Sequence, residues 1–423
     1  MTAVSELPAT DPRSRQDGLG WVTRALFPDE RARLRVGPAR APAVAPGWRG
    51  VARYAMVPSA RHPRFLLPVG SRRVAAASLL AYNALRPAKV RAVRAMVGTL
   101  ARVGVLDVAR LPRLTVSVPP GLPAAELVLT EHLSAELGQG ALFAACGVRP
   151  PDPNHKPTLQ LFDSDGRPRG YAKIGWNDAT RALVRAESAA LRALPRSGGE
   201  YPLVPSLLME GEWNGQVLAV VEPLPADVRG VDPTEPPRVG AILAVARRGG
   251  RATPARPVAD SRFLRRLTDD ALAAAAGDAA GERAVAAVRR LEERYGSTPV
   301  EFGDWHGDWV PWNLGTHAGR LVAWDWEHSG SDVPVGFDLA HDAFQRALIL
   351  DGRSVPDAVR AVAEQVDRHG ERLGLGPEQR GLVVDGYLVE MWLRTWRLAA
   401  GGAGWNPTLH PSLLDAIEKR HNG

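Results

Sequence analysis

The chain has 423 residues, a formal net charge of +7 and a single cysteine, Cys146. That length leaves room for two or three domains with a core that needs no staples, and one cysteine excludes an internal disulfide. No charged-then-apolar leader occupies residues 1–15 and no apolar run approaches the ~18 residues of a membrane span, so the expectation is a soluble, cytoplasmic protein.

The charge is unevenly spread. Residues 1–120 hold 20 Lys+Arg against 6 Asp+Glu, a net +14 that leaves −7 on the remainder. Two readings follow: the basic part packs on the acidic part, or it makes weak peripheral contact with an anionic membrane. No recognisable nucleic-acid module is present, so no nucleic-acid partner is expected. Arginine outnumbers lysine 49 to 4, which makes each lysine informative. Arginine does not freely replace a compact ammonium that must meet a phosphate in a tight space.

In chain order, turn-forming Gly37-Pro38 and Ala45-Pro46-Gly47 precede a helix expected over residues 73–103, broken or kinked at Pro87. Pro119-Pro120-Gly121 marks a boundary. Residues 1–118 are thus an extra basic N-terminal region, either an integral cap on the sheet that follows or a separate binding segment. A helix over 124–137 ends at Gly138 and Gly140. Strands follow at 142–146, 158–162 and 170–174, the last two joined by Asp163-Ser164-Asp165-Gly166, a hairpin signal. A helix over 180–194 leads to strands at 203–209 and 216–222 around Trp213-Asn214-Gly215. Beyond Pro223 helices are expected near 238–248, 260–275, 281–295, 355–373 and 377–399, interrupted by a short strand-rich island. The expected fold class is α+β: a small antiparallel-sheet lobe over 119–222 and a mainly helical lobe over 223–423, enclosing a ligand between them.

The island carries the chemistry. His306-Gly307-Asp308 is followed by Asn313 and then by Asp325 in Trp324-Asp325-Trp326. Such spacing suits phosphoryl transfer: Asp308 accepts the proton of an attacking hydroxyl, while Asn313 and Asp325 offer hard oxygens to magnesium. Alternation along a strand places Trp324 and Trp326 behind Asp325. Lys173 sits on a strand opposite Ala172 and Ile174, where it can meet nucleotide phosphates if Glu187 on the next helix pairs with it. Residues 149–156 occupy the place of a phosphate-covering loop but lack glycines. Either Lys156 or His155 compensates with charge, or the segment is an ordinary proline-stiffened loop. His306 reads as a brace rather than a proton carrier, and Asp338 as a helix cap or an anchor for the loop. Trp309 and Trp312 either floor an acceptor pocket or pack in the core.

On these residues, over about 130–400, the chain resembles the aminoglycoside phosphotransferase and choline kinase-like family. The resemblance implies a two-lobed kinase-like fold, Asp308 as catalytic base, Asn313 and Asp325 as magnesium ligands, Lys173 on the ATP phosphates, and a hinge at Val221 and Glu222 beside adenine. It also implies transfer from ATP to a small-molecule alcohol such as an aminoglycoside, amino alcohol or sugar. Trp309 and Trp312 stand where relatives commonly have a leucine and small residues. A nucleotide-binding pseudokinase acting as a partner-binding protein is the alternative.

Overall fold

The computed structural model describes residues 11–39, 44, 46–81, 85, 88–104, 111–149, 155–195, 200–248, 250–277 and 279–422. They form two compact units, Met1–Val184 with Pro205–Val228, and Arg185–Val204 with Arg229–Gly423.

The first unit is built on one antiparallel sheet. Its strands are β1 (Arg33–Gly37), β2 (Arg49–Val57), β3 (Phe65–Pro68), β4 (Arg113–Val118), β5 (Phe143–Gly147), β6 (Thr158–Phe162), β7 (Pro168–Gly175), β8 (Leu207–Trp213) and β9 (Gln216–Val221), in the order β1-β4-β2-β3-β5-β6-β7-β9-β8. Residues 1–118 therefore supply four strands of the sheet itself. This corrects the boundary at 118/119, which divides no unit, and the expectation of a small sheet. The two possibilities for this region were an integral cap on the sheet or a separate binding segment; its strands lie within the sheet.

Alternation explains how the sheet is covered on both faces. Met56, Leu66, Cys146, Leu159, Leu161, Ala172 and Ile174 join one cluster with Leu19, Val22 and Leu26 of α1 (Gly18–Leu26). Their neighbours Ala55 and Leu67 instead meet Ala75, Ala76 and Ala101 of α2 (Arg72–Leu80) and α3 (Ala88–Arg102). Fully burying each Leu or Ile contributes ~1.5–3 kcal/mol. The helix expected over 73–103 is thus two helices, and Pro87 lies outside the described residues. The next expected helix is also split at Val128, into α4 (Ala124–Leu127) and α5 (Leu129–Glu136).

Both hairpin signals are realised. Asp163 accepts from the backbone N–H of Asp165 and Arg167, closing the β6-β7 turn at 3.0 and 2.9 Å. Asn214 and Gly215, both at positive φ (46° and 73°), close β8-β9. Such φ values at both central residues match the right-handed twist of the flanking strands. The strand expected from 203 begins only at Leu207, because Leu203 bonds elsewhere, to Leu321 and Ala323 of the second unit.

After α6 (Asp178–Ala193), within which the unit boundary falls, the second unit is mainly helical. It contains α7 (Val239–Ala246), α8 (Arg262–Ala275), α9 (Ala279–Tyr295), α10 (Phe337–Gln345), α11 (Val355–Gly370), α12 (Pro377–Leu398) and α13 (Ser412–Asn422). Helix α12 is its axis, buried without interruption from Leu382 to Thr395. Helix α10 stands where Asp338 was read as a possible helix cap, although its range was not among the expected helices. Short strands form the island: β10 (Arg229–Gly230), β11 (Arg256–Pro257), β12 (Pro299–Val300), β13 (Phe302–Trp305), β14 (Leu314–His317), β15 (Arg320–Ala323) and β16 (Gly330–Pro334), paired as β10-β14-β15, β11-β12 and β13-β16.

Candidate active site

Strand β13 runs into His306-Gly307-Asp308, and every group that fixes this loop belongs to the second unit. Asp338, in the first turn of α10, accepts the backbone N–H of His306 at 2.8 Å and of Gly307 at 3.0 Å. From α12, Arg394 donates to the Gly307 carbonyl at 2.7 Å, with its guanidinium 4.8 Å from the Trp305 ring centroid. Both side chains are buried. Burial pushes the Asp338 carboxyl up to about 7, against the pull of the two N–H donors and Arg394. Between the two anchoring options for Asp338, the structure has it holding the loop.

His306 is fully buried and braces the loop from within. Its Nδ1 accepts the Asp308 N–H at 3.2 Å, which leaves Nε2–H to donate to the Trp324 carbonyl at 3.0 Å. That tautomer is assigned from the network. Burial lowers the imidazole to about 4, outweighing the nearby Asp308 carboxylate. The sign of the consequence is definite. An unfolded histidine titrates near 6.5, so between pH 6.5 and 4 the unfolded state binds more protons, and the stability present above 6.5 is lost as pH falls. The loss attributable to this group is of order 3 kcal/mol. In thermal melts across that window, His306→Gln is expected to flatten the slope relative to the parent; an unchanged slope would show that His306 is not buried neutral.

Asp308 is held at both carboxylate oxygens. Oδ1 accepts from Nε2 of His341 at 3.0 Å and Oδ2 from the Asn313 amide nitrogen at 2.7 Å; the same nitrogen also donates to the Asp308 carbonyl at 3.1 Å. The His341 Nδ1 in turn accepts from the Tyr387 hydroxyl at 3.1 Å. Burial lowers the pKa of His341, against the hydrogen bond to Asp308 and the attraction of its carboxylate. Burial alone would raise Asp308, but the hydrogen bond from His341 and the surrounding histidines outweigh it and hold the carboxyl well below the usual range. The side chain keeps 27% of its surface exposed, so it is fixed yet reachable.

Asn313 returns to Asp308 because Pro311–Asn313 is a single 3-10 turn, entered through the fixed φ of Pro311. Its carbonyl then accepts from the Trp324 N–H at 3.2 Å, extending the β14-β15 pairing and setting Asp325 one residue beyond. Asp325 is not on a strand. Strand β15 ends at Ala323 and Asp325 adopts a left-handed conformation (φ 63°, ψ 58°) ahead of the turn Trp326–His328. Strand alternation therefore does not position its carboxylate. Only Trp326 lies buried behind it, 4.4 Å from the His306 ring.

The other expected residues fall as follows. Trp309 is 1% exposed and packs edge-on to His306, as the core-packing alternative expects; Trp312 is 43% exposed. Lys173 lies on β7, paired with Thr158 and Ala219, and is buried on the face opposite Ala172 and Ile174. Glu187 is buried on α6. Val221 ends β9, and Glu222 joins Ser206 through two bonds, its N–H to the Ser206 carbonyl and its Oε2 from the Ser206 N–H at 3.2 Å. Residues 150–154 of the candidate phosphate loop lie outside the described residues, whereas the His155 carbonyl accepts from Trp176 Nε1 at 3.1 Å. His341, Tyr387 and Arg394 escaped the sequence reading. The one available signal was Asp338 and His341 three residues apart, on one helical face.

No family model matches the sequence, and no curated protein matches it. Solved structures similar to the chain include an aminoglycoside phosphotransferase (15% identity, TM-score 0.45, covering 70% of this chain and 98% of that one). A macrolide 2'-phosphotransferase type I matches at 15% identity and TM-score 0.38, covering 68% and 94% of the two chains. A choline/ethanolamine kinase family protein from Mesorhizobium loti matches at 17% and 0.37, covering 70% and 94%.

Proposed function

We propose that the protein is an ATP- and magnesium-dependent phosphotransferase acting on the hydroxyl of a small-molecule alcohol. The observation that carries this reading is Asp308: an ionised, part-exposed carboxylate gripped at both oxygens on a loop locked by Asp338 and Arg394. Phosphoryl transfer asks the protein mainly for positioning and charge stabilisation, and a carboxylate of low basicity suits it. The acceptor O–H donates to Asp308, its oxygen attacks the γ-phosphorus, the bond to the bridging oxygen of the leaving ADP breaks, and the proton passes to Asp308. Asn313 and His341 keep the carboxylate from rotating.

The donor chemistry fits magnesium. The hydrogen bonds of Asn313 use its amide nitrogen, which leaves the amide oxygen, and Asp325 adds a carboxylate: hard oxygen ligands of the kind this ion selects. Among the described residues no three His, Cys, Asp or Glu side chains form a metal cage of their own, so the nucleotide and water would complete the coordination. When bound, the ion would neutralise charge on the β- and γ-phosphates. The left-handed backbone of Asp325 costs roughly 1 kcal/mol or more, and such strain tends to persist where function retains it. Lys173, Glu187 and Lys156 are assigned to the nucleotide, as are Val221 and Glu222 on its adenine side, and Trp312 is assigned to the acceptor.

Titration of turnover with magnesium tests the metal assignment. Asn313→Ala and Asp325→Asn are expected to raise the magnesium concentration for half-maximal activity at least tenfold, whereas His341→Gln lowers turnover without moving it. Identical magnesium curves for all three would remove Asn313 and Asp325 from the metal site.

A further inference from the structure

Helix α3 belongs to none of the machinery above. Val90, Val93, Met96 and Leu100, with Val103 just past its end, are exposed by 42, 57, 59, 40 and 66%. Their spacing of three or four residues sets them along one side. The side next to Val90 is already used: Ala101 is buried with Leu67 and Ala55 of the sheet, and Gly98 lies against Leu80. The apolar stripe is therefore a second face, which no other described residue buries.

The sequence in which it lies indicates what covers it. From Arg31 to Leu106 the sequence carries 15 Lys+Arg and not one Asp or Glu. Lys89 and Arg102 stand exposed at the two ends of the helix. Three valines, a methionine and a leucine include no aromatic or arginine anchor of the kind that protein interfaces concentrate in shaped pockets. A short basic amphipathic helix with small aliphatic side chains and no anchor suits a fluid apolar layer beneath a negative surface. No helix among the described residues is long and apolar enough to cross a membrane, so attachment would be in the plane of the surface.

We propose that α3 docks the protein on anionic lipid bilayers, with Val90, Val93, Met96, Leu100 and Val103 inserted among the acyl chains and Lys89 and Arg102 on the headgroups. The test uses the full chain, co-sedimented with vesicles of phosphatidylglycerol and phosphatidylcholine or of phosphatidylcholine alone. Binding is expected to the anionic vesicles only, to weaken with salt, and to fall at least tenfold in V93D/M96D. Lys89→Gln and Arg102→Gln should each weaken it about fivefold. The substituted side chains are exposed, so an unchanged melting temperature verifies folding. Three results would overturn the proposal: no sedimentation with anionic vesicles, equal binding by V93D/M96D, or a lipid-free dimer in analytical ultracentrifugation that V93D/M96D abolishes, which would give the stripe to a second copy of the chain.

Discussion

Asp308→Asn is expected to lower phosphoryl transfer by on the order of 10²–10⁴-fold while nucleotide affinity changes little. The amide is nearly isosteric with the carboxylate, so the loop can keep its shape, but it cannot accept the acceptor's proton. It also places an NH2 group against the N–H of His341 or the amide of Asn313, both of which donate to Asp308 in the parent. The variant thus loses the charge that orients the hydroxyl and gains a donor-donor conflict. Neither change touches the residues assigned to adenine. Single-turnover transfer and equilibrium nucleotide binding, measured side by side, separate the two effects. A variant retaining parental turnover would refute the role of Asp308.

Gly307→Ala is expected to cost about 2–5 kcal/mol of stability and most of the activity. Gly307 has φ +77°, a conformation that disfavours any side chain, and a Cβ there would lie 2.0 Å from the His328 carbonyl oxygen. The loop has little freedom to yield. Asp338 holds the Gly307 N–H and Arg394 its carbonyl, so relieving the clash breaks at least one buried hydrogen bond. Leaving Arg394 or Asp338 with an unmet buried partner is itself destabilising. Chemical denaturation reads the stability and the transfer assay the activity; a loss below 1 kcal/mol would mean that the loop is softer than its bonds indicate.

How far the sequence revealed this site depends on how local each part is. Asn313 and Asp308 were legible together because one 3-10 turn separates them and Pro311 helps to set it. Strands β5 to β9 were legible because Asp-Gly and Asn-Gly turns punctuate them. His341 comes from 33 residues beyond Asp308, and Arg394 from 87 beyond Gly307, each on a helix whose own pattern says only that it is buried. No local rule connects those helices to the loop. Asp325 was misplaced on a strand because Trp-Asp-Trp imitates alternation, and a left-handed backbone produces the same burial of Trp326 by another route. The N-terminal strands did carry a signal: Arg33-Leu34-Arg35-Val36 alternates, and β1 begins exposed, buried, exposed. The many arginines and prolines of that region masked it.

The most direct test of the central claim is transfer itself. The full chain, supplied with γ-labelled ATP, magnesium and a metabolite extract, is predicted to give a phosphorylated alcohol detectable by mass spectrometry, in amounts that disappear in Asp308→Asn. Nucleotide binding without label transfer to any acceptor would contradict the account and leave a pseudokinase in its place.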